Sequence, residues 1–167
     1  VRPLPQDNSF RRQHGLDGAF VVMYAGALGH TSALEDVLDT AVLLRDMPSQ
    51  DPSTPPVRFV IVGEGVKKDE LVADARRRGL DNVLFLPFQP RERFAEMLAA
   101  ADTNLVTLNA QSSGFSLPSK TFNIMASARP ILAITPPDSE IAALVAAGQC
   151  GANLPLGQPH QVAELIR

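Results

Sequence analysis

Four short stretches of this sequence carry residue types suited to holding an anion. Gly26-Ala27-Leu28-Gly29, Gly63-Glu64-Gly65 and Ser112-Ser113-Gly114 are rich in glycine or hydroxyls, and Ser119-Lys120 supplies a primary amine. Glycine lets backbone come close to a bound group, and amides at a helix start lack intrahelical acceptors, so they can donate to a phosphate. Pro118 reads as a first-turn residue of a helix beginning near Leu117–Pro118, with Ser116 as its cap. Taken singly, each residue also has an ordinary structural reading: a cap, a helix-starting proline, a solvated lysine. Their common position in the fold is what distinguishes them.

That position follows from the elements between them. Apolar runs occur at Phe20–Ala25, Val57–Val62, Val83–Leu86, Leu105–Leu108 and Ile131–Thr135. Several are apolar at nearly every residue, as strands buried on both faces must be. Between them, Leu34, Val37, Leu38 and Ala41 keep helical spacing, as do Leu71, Ala75 and Arg78, and then Phe94, Met97, Leu98 and Ala101. Strand and helix alternate throughout, which predicts a doubly wound α/β fold: a parallel sheet with helices on both faces. In such sheets ligands sit outside the carboxyl ends of the strands. The glycine and serine stretches, and Pro87-Phe88-Gln89-Pro90 after the third run, all fall there. Gly26-x-x-Gly29 alone is weak, and it lacks the G-x-G-x-x-G pattern of a dinucleotide site.

Local punctuation agrees with this reading. Ser32 followed by Glu35 has capping-box spacing, Gly79 follows the basic turn Arg76–Arg78, and Pro90 stands at a first helical turn. Met47–Pro56 reads as a surface loop.

Composition narrows the function classes. The chain has 167 residues, 45% hydrophobic and 20% charged, enough for one domain with a real core. Net charge is −3 without a basic run, which disfavours nucleic acid as a partner. No apolar stretch approaches the roughly 20 residues that span a bilayer, so a cytoplasmic location is the expectation. Cys150 is the only cysteine, so no internal disulfide or cysteine metal cluster can form, and it reads as a small buried filler. No metal site is expected.

The succession VVMYAGALG, VRFVIVGEG, DNVLFLPFQPRERFAEMLAAADTNLVTL, GFSLPSKTFNIMASARPILAI and DSEIAALVAAGQCG resembles the C-terminal, donor-binding domain of GT-B fold retaining glycosyltransferases of family 4, or group 1. The most specific element is P-S-K-x-x-N-x-M-A-x-x-x-P at Pro118–Pro130, typical of a P-S-K subgroup that builds surface polysaccharides. The resemblance implies a Rossmann-like half-fold over residues 19–167, with 1–18 as linker and lead-in. It implies a nucleotide diphosphate-sugar donor, a separate N-terminal acceptor domain, a glycan or lipid-linked glycan acceptor, and any contact with the inner membrane made through that other domain. No cofactor or metal is implied, and the fragment alone is expected to bind donor weakly and transfer nothing.

Residue by residue, the resemblance places Gly26 and Gly29 beside the diphosphate, Leu86 and Phe88 at the base, and Ser112, Ser113 and Gly114 by phosphates and sugar. It places Ser119 and Lys120 at the pyrophosphate and Asn123 near the ribose. Catalytic residues stay unassigned. Many members carry two glutamates separated by seven residues; allowing for the longer P-S-K form of this loop, Ser113 and Asn123 stand near those positions. The first loop also lacks the family's usual Lys or Arg, offering only His30, so Lys120 is the main candidate cation. His30 reads equally as an exposed loop residue, and Glu140 as a first-turn acid favouring the helix dipole. Two other readings stay open: half of a nucleotide-sugar epimerase, which calls for more acidic and histidine loop residues, and a non-catalytic receiver-like α/β module. The latter calls for an acidic pair after the first strand, where Tyr24-Ala25-Gly26 stands.

Overall fold

The computed structural model describes residues 1–47, 51, 53–109 and 119–167. Six strands are formed by Phe20–Ala25 (β1), Val57–Val62 (β2), Val83–Leu86 (β3), Thr103–Thr107 (β4), Ile131–Ile134 (β5) and Gly151–Leu154 (β6). They make one parallel sheet in the order β3-β2-β1-β4-β5-β6. The connecting helices are Ser9–Gln13 (α1), Leu34–Asp46 (α2), Lys68–Arg77 (α3), Phe94–Ala100 (α4), Lys120–Ala126 (α5), Glu140–Gly148 (α6) and Pro159–Ile166 (α7). A 3-10 turn at Arg91–Arg93 leads into α4.

Alternation along each strand builds two apolar layers. Val21 and Met23 join Val60, Val62, Val106 and Ala133 on one face, closed by Met97, Leu98, Ile124, Ile141 and Val145. Val22 and Tyr24 join Phe59, Ile61, Leu105 and Ile134 on the other, closed by Leu34, Leu38, Leu71, Val162 and Ile166. The strand order reverses between β1 and β4. In sheets of this kind that reversal is the switch point at which ligands bind, outside the carboxyl ends of the strands.

Several elements differ from the sequence reading. The fourth strand starts at Thr103 and ends at Thr107, because Thr103 and Asn104 lie buried beside Pro130, where the Thr103 hydroxyl and the Asn104 amide donate to its carbonyl. β6 and α7 have only short signals: a four-residue Gly-Ala-Asn-Leu strand, and Pro159 opening a helix that buries Val162, Ala163 and Ile166. Ser32 does not cap α2. Its hydroxyl donates back to the Gly29 carbonyl at 2.7 Å, and the N-cap position falls to Ala33, left-handed at φ 44° without a side-chain cap.

Residues of the 1–18 lead-in pack against the sheet. Phe10 and Leu16 are buried in the first apolar layer, and the Asn8 side chain caps α1 by accepting from the amides of Phe10 and Arg11. Arg11 donates to the carbonyls of Ala100 (2.8 Å), Leu16 (2.9 Å) and Ala19 and pairs with Asp102 at 3.3 Å.

Candidate functional site

The turn after β1 is held on both flanks by its neighbours. On the β2 side, Gly26 N–H donates to Val62 O at 3.0 Å, Leu28 N–H to Glu64 O at 2.9 Å, and Lys67 N–H to Leu28 O at 2.9 Å. On the β4 side, Asn109 donates through its backbone to Thr31 O (3.0 Å) and through its side-chain amide to His30 O (2.9 Å), while the Thr107 hydroxyl donates to Ser32 O. Leu28 is fully buried and anchors the turn from beneath.

Gly63 and Gly65 serve this packing rather than a ligand. A Cβ on Gly63 would stand 1.9 Å from Gly26 O, and one on Gly65 would stand 2.4 Å from Leu28 O. Both approaches are backbone to backbone, and no side chain fits between. Gly29 faces open space, with nothing within 4 Å of where its Cβ would stand.

Planar trans peptides turn these contacts into a direction. Gly26 O points at Gly63, so the Ala27 N–H on the same peptide points away from it; Leu28 O points at Lys67 N, so the Gly29 N–H points away from that. Among the described residues neither amide donates to a backbone carbonyl. They are two donors turned away from the β2 side of the turn.

Lys120 opens α5, a helix on the opposite face of the sheet from the Tyr24 side chain. Its ammonium reaches past the strand ends to lie 3.9 Å from the centroid of the Tyr24 ring. A Cβ on Gly26 would be 3.4 Å from Lys120 Nζ, so the missing side chain leaves the ammonium room beside the turn. Burial pushes this lysine down to about 7 from 10.5, with no carboxylate acting on it. Burial also pushes the Tyr24 phenol up to about 12, and its hydroxyl donates to Ala27 O at 2.8 Å.

Lys120 and the Gly26–Gly29 turn therefore come together. Ser119 immediately precedes Lys120, exposed, and its hydroxyl caps nothing. Asn123 is one turn further along α5, half-buried and on the Lys120 face. Leu86 and Phe88 lie at the end of β3, two strand spacings or about 10 Å from β1. Leu86 packs on the core and its carbonyl accepts from Gly63 N–H at 3.0 Å, whereas the Phe88 ring is 56% exposed. Ser112, Ser113, Gly114, Ser116, Leu117 and Pro118 lie outside the described residues. His30 is exposed. Glu140 sits in the first turn of α6, which Ser139 caps by accepting from Ala142 N–H at 3.1 Å. Cys150 packs against the first apolar layer.

Sequence reasoning missed Tyr24 as a site residue. Its signal was present: a tyrosine at a fully apolar strand's end must place its hydroxyl beside the loop. A groove of about 940 Å³ lies at the amino ends of the strands, between Phe20, Val57, Arg45 and Arg167. Its three arginines are already engaged, Arg45 by Asp46, Arg58 by Asp81 O and Arg167 by Met47 O. Among the described residues no cluster of His, Cys, Asp or Glu is arranged for a metal, and no helix is long and apolar enough to cross a membrane. A receiver-like module would have the strand order 2-1-3-4-5, unlike the order found.

The family model described as "Glycosyl transferases group 1" matches residues 6–167. The putative colanic acid biosynthesis glycosyl transferase WcaI of Escherichia coli K12 is 34% identical over 110 residues, covering 66% of this chain and 25% of that protein. The probable glycosyltransferase WbjE of Pseudomonas aeruginosa is 28% identical over 170 residues, covering 99% of this chain and 40% of that protein. The fold matches that of Anabaena Alr3699/HepE, crystallised with UDP-glucose, at a TM-score of 0.74 and 23% identity over 94% of this chain and 40% of that one. The chain thus spans well under half the length of the relatives it matches.

Proposed function

The chain belongs to the group 1 glycosyl transferases, and we propose that it is the donor-binding part of a longer retaining enzyme. That enzyme moves a sugar from a nucleotide diphosphate-sugar to a glycan or lipid-linked glycan acceptor in surface polysaccharide or envelope synthesis. The acceptor site belongs to a separate N-terminal domain. The observation that carries the reading is the Lys120 ammonium, without a carboxylate partner among the described residues, against a turn whose Ala27 and Gly29 amides are open.

Departure of a nucleoside diphosphate breaks the bond from the sugar's anomeric carbon to oxygen and leaves the new negative charge on the terminal oxygens of the β-phosphate. Preorganised donors aimed at that charge lower the barrier most when water is excluded, because they need not reorient. Lys120 supplies the charge and the turn supplies oriented dipoles. A nucleotide laid along the rim would put its base against the Phe88 ring at the end of β3, a flat apolar surface suited to stacking. Asn123, which can both donate and accept, faces the ribose hydroxyls; Ser119 and the segment Ser112–Gly114 complete the contacts to phosphate and sugar. UDP-glucose in HepE and colanic acid biosynthesis in the name of WcaI support a uridine donor and this kind of pathway.

Calorimetry of this chain with uridine and guanosine diphosphates tests the reading. Saturable binding is expected, weakened by about 1–3 kcal/mol on Lys120→Ala, the range for a charge-assisted hydrogen bond. A folded wild-type chain giving no heat up to millimolar nucleotide would overturn it. In the full-length enzyme, the anomeric configuration of the product by NMR checks retention.

A further inference from the structure

Tyr24 touches both halves of the proposed diphosphate site. Its ring lies 3.9 Å from Lys120 Nζ, and its hydroxyl donates to Ala27 O at 2.8 Å. Tyr24 is only 2% exposed, so its own side of each contact is shielded from water. The Ala27–Leu28 peptide is thereby pinned at both ends, its carbonyl by Tyr24 and its N–H by Glu64 O. A peptide held at both ends cannot rotate without breaking two hydrogen bonds, so the flanking Ala27 and Gly29 amides keep their directions. On the other side, an aromatic face attracts an ammonium most strongly where both are desolvated. Lys120 has three N–H donors; with the ring on one side, the others are open toward the Gly26 turn.

We infer that Tyr24 is a positioning residue for the donor site: its ring seats the Lys120 ammonium while its hydroxyl fixes the turn, so that cation and amides converge on one anion. This rests on the donor-site reading above. The two contacts are chemically separable. Tyr24→Phe keeps the ring and loses the hydroxyl bond; Tyr24→Leu loses both.

The experiment combines calorimetry with uridine diphosphate and proton NMR of the lysine side chains, of which the chain has three, Lys67, Lys68 and Lys120. In the ligand-free wild type one lysine should show ring-current-shifted side-chain protons, retained in Tyr24→Phe and lost in Tyr24→Leu and Lys120→Ala. Binding should weaken about fivefold in Tyr24→Phe and a further few-fold to about twentyfold in Tyr24→Leu. In a Lys120→Ala background that further loss should vanish, while the Tyr24→Phe loss persists, because one acts through the ammonium and the other through the turn. A nonspecific packing defect would not split in this way. Wild-type binding with unchanged or improved affinity in both variants, or a further Tyr24→Leu loss that survives in the Lys120→Ala background, would overturn the role of Tyr24 while leaving the donor site standing. Absence of wild-type binding would remove the donor site and this role together.

Discussion

Burial pushes the Lys120 ammonium down to about 7 from 10.5, and an anion placed beside it must push that value back up. The sign of the pH dependence follows. Below about 7 the lysine is charged with or without ligand and contributes no dependence. Above 7 the free site has lost its proton and the occupied site holds it, so binding takes up a proton and affinity falls as pH rises. Between pH 7.5 and 9.5, where phosphate oxygens with a second ionisation near 6 are already fully charged, uridine diphosphate affinity should drop by up to about tenfold per unit. Calorimetry in buffers of different ionisation heat should register proton uptake, and Lys120→Ala should flatten the profile. A wild-type profile as flat as the variant's would mean that the ammonium does not meet the phosphate. Sequence reading singled out Lys120 from its setting after Pro118 and Ser119, but the seat on Tyr24 joins residues 96 positions apart on opposite sheet faces. No local pattern encodes such a contact.

At the scale of the element, the turn after β1 is shaped from outside itself. Gly63 was legible as a loop glycine, yet its reason is the Gly26 carbonyl, 1.9 Å from where a Cβ would stand. Gly63→Ala must therefore displace one of the two loops. Overpacking of this kind typically costs about 1–3 kcal/mol, seen as a lowered denaturation midpoint, and the displaced Ala27 and Gly29 amides should weaken nucleotide binding in parallel. Gly29→Ala faces open space and is the control for stability. If Gly63→Ala folds and binds as the wild type does, the loops are not held as described. Ser32 teaches the converse. Ser-x-x-Glu is a good signature of a helix start, but the serine turned to close the loop on Gly29 O, and Glu35 pairs instead with Lys67 at 2.7 Å. Loop closure against β2 and β4 outweighed one cap, each such bond contributing only about 1 kcal/mol.

For the molecule as a whole, the lead-in and the sheet act as one body. Arg11, with a side chain 8% exposed, joins three carbonyls to Asp102, which also accepts from Val21 N–H at 2.7 Å. Arg11→Met removes one partner of a largely buried pair and should lower unfolding free energy by about 3 kcal/mol, measured by chemical denaturation; a change under 0.5 kcal/mol would show that α1 docks on Phe10 and Leu16 alone. A five-residue helix is too short for its periodicity to be read, so the burial of Phe10 and Leu16 was not legible from spacing. The sequence by itself determined the alternation of doubly apolar strands and amphipathic helices, hence the wound parallel sheet, and the glycines and lysine at its carboxyl rim. Burial pattern and turn chemistry are local properties, set within a few residues. The strand order, the direction of the Ala27 and Gly29 amides and the partnership of Tyr24 with Lys120 were decided only in the tertiary structure. Each depends on which distant segments share one rim, and that is settled by packing the whole core at once.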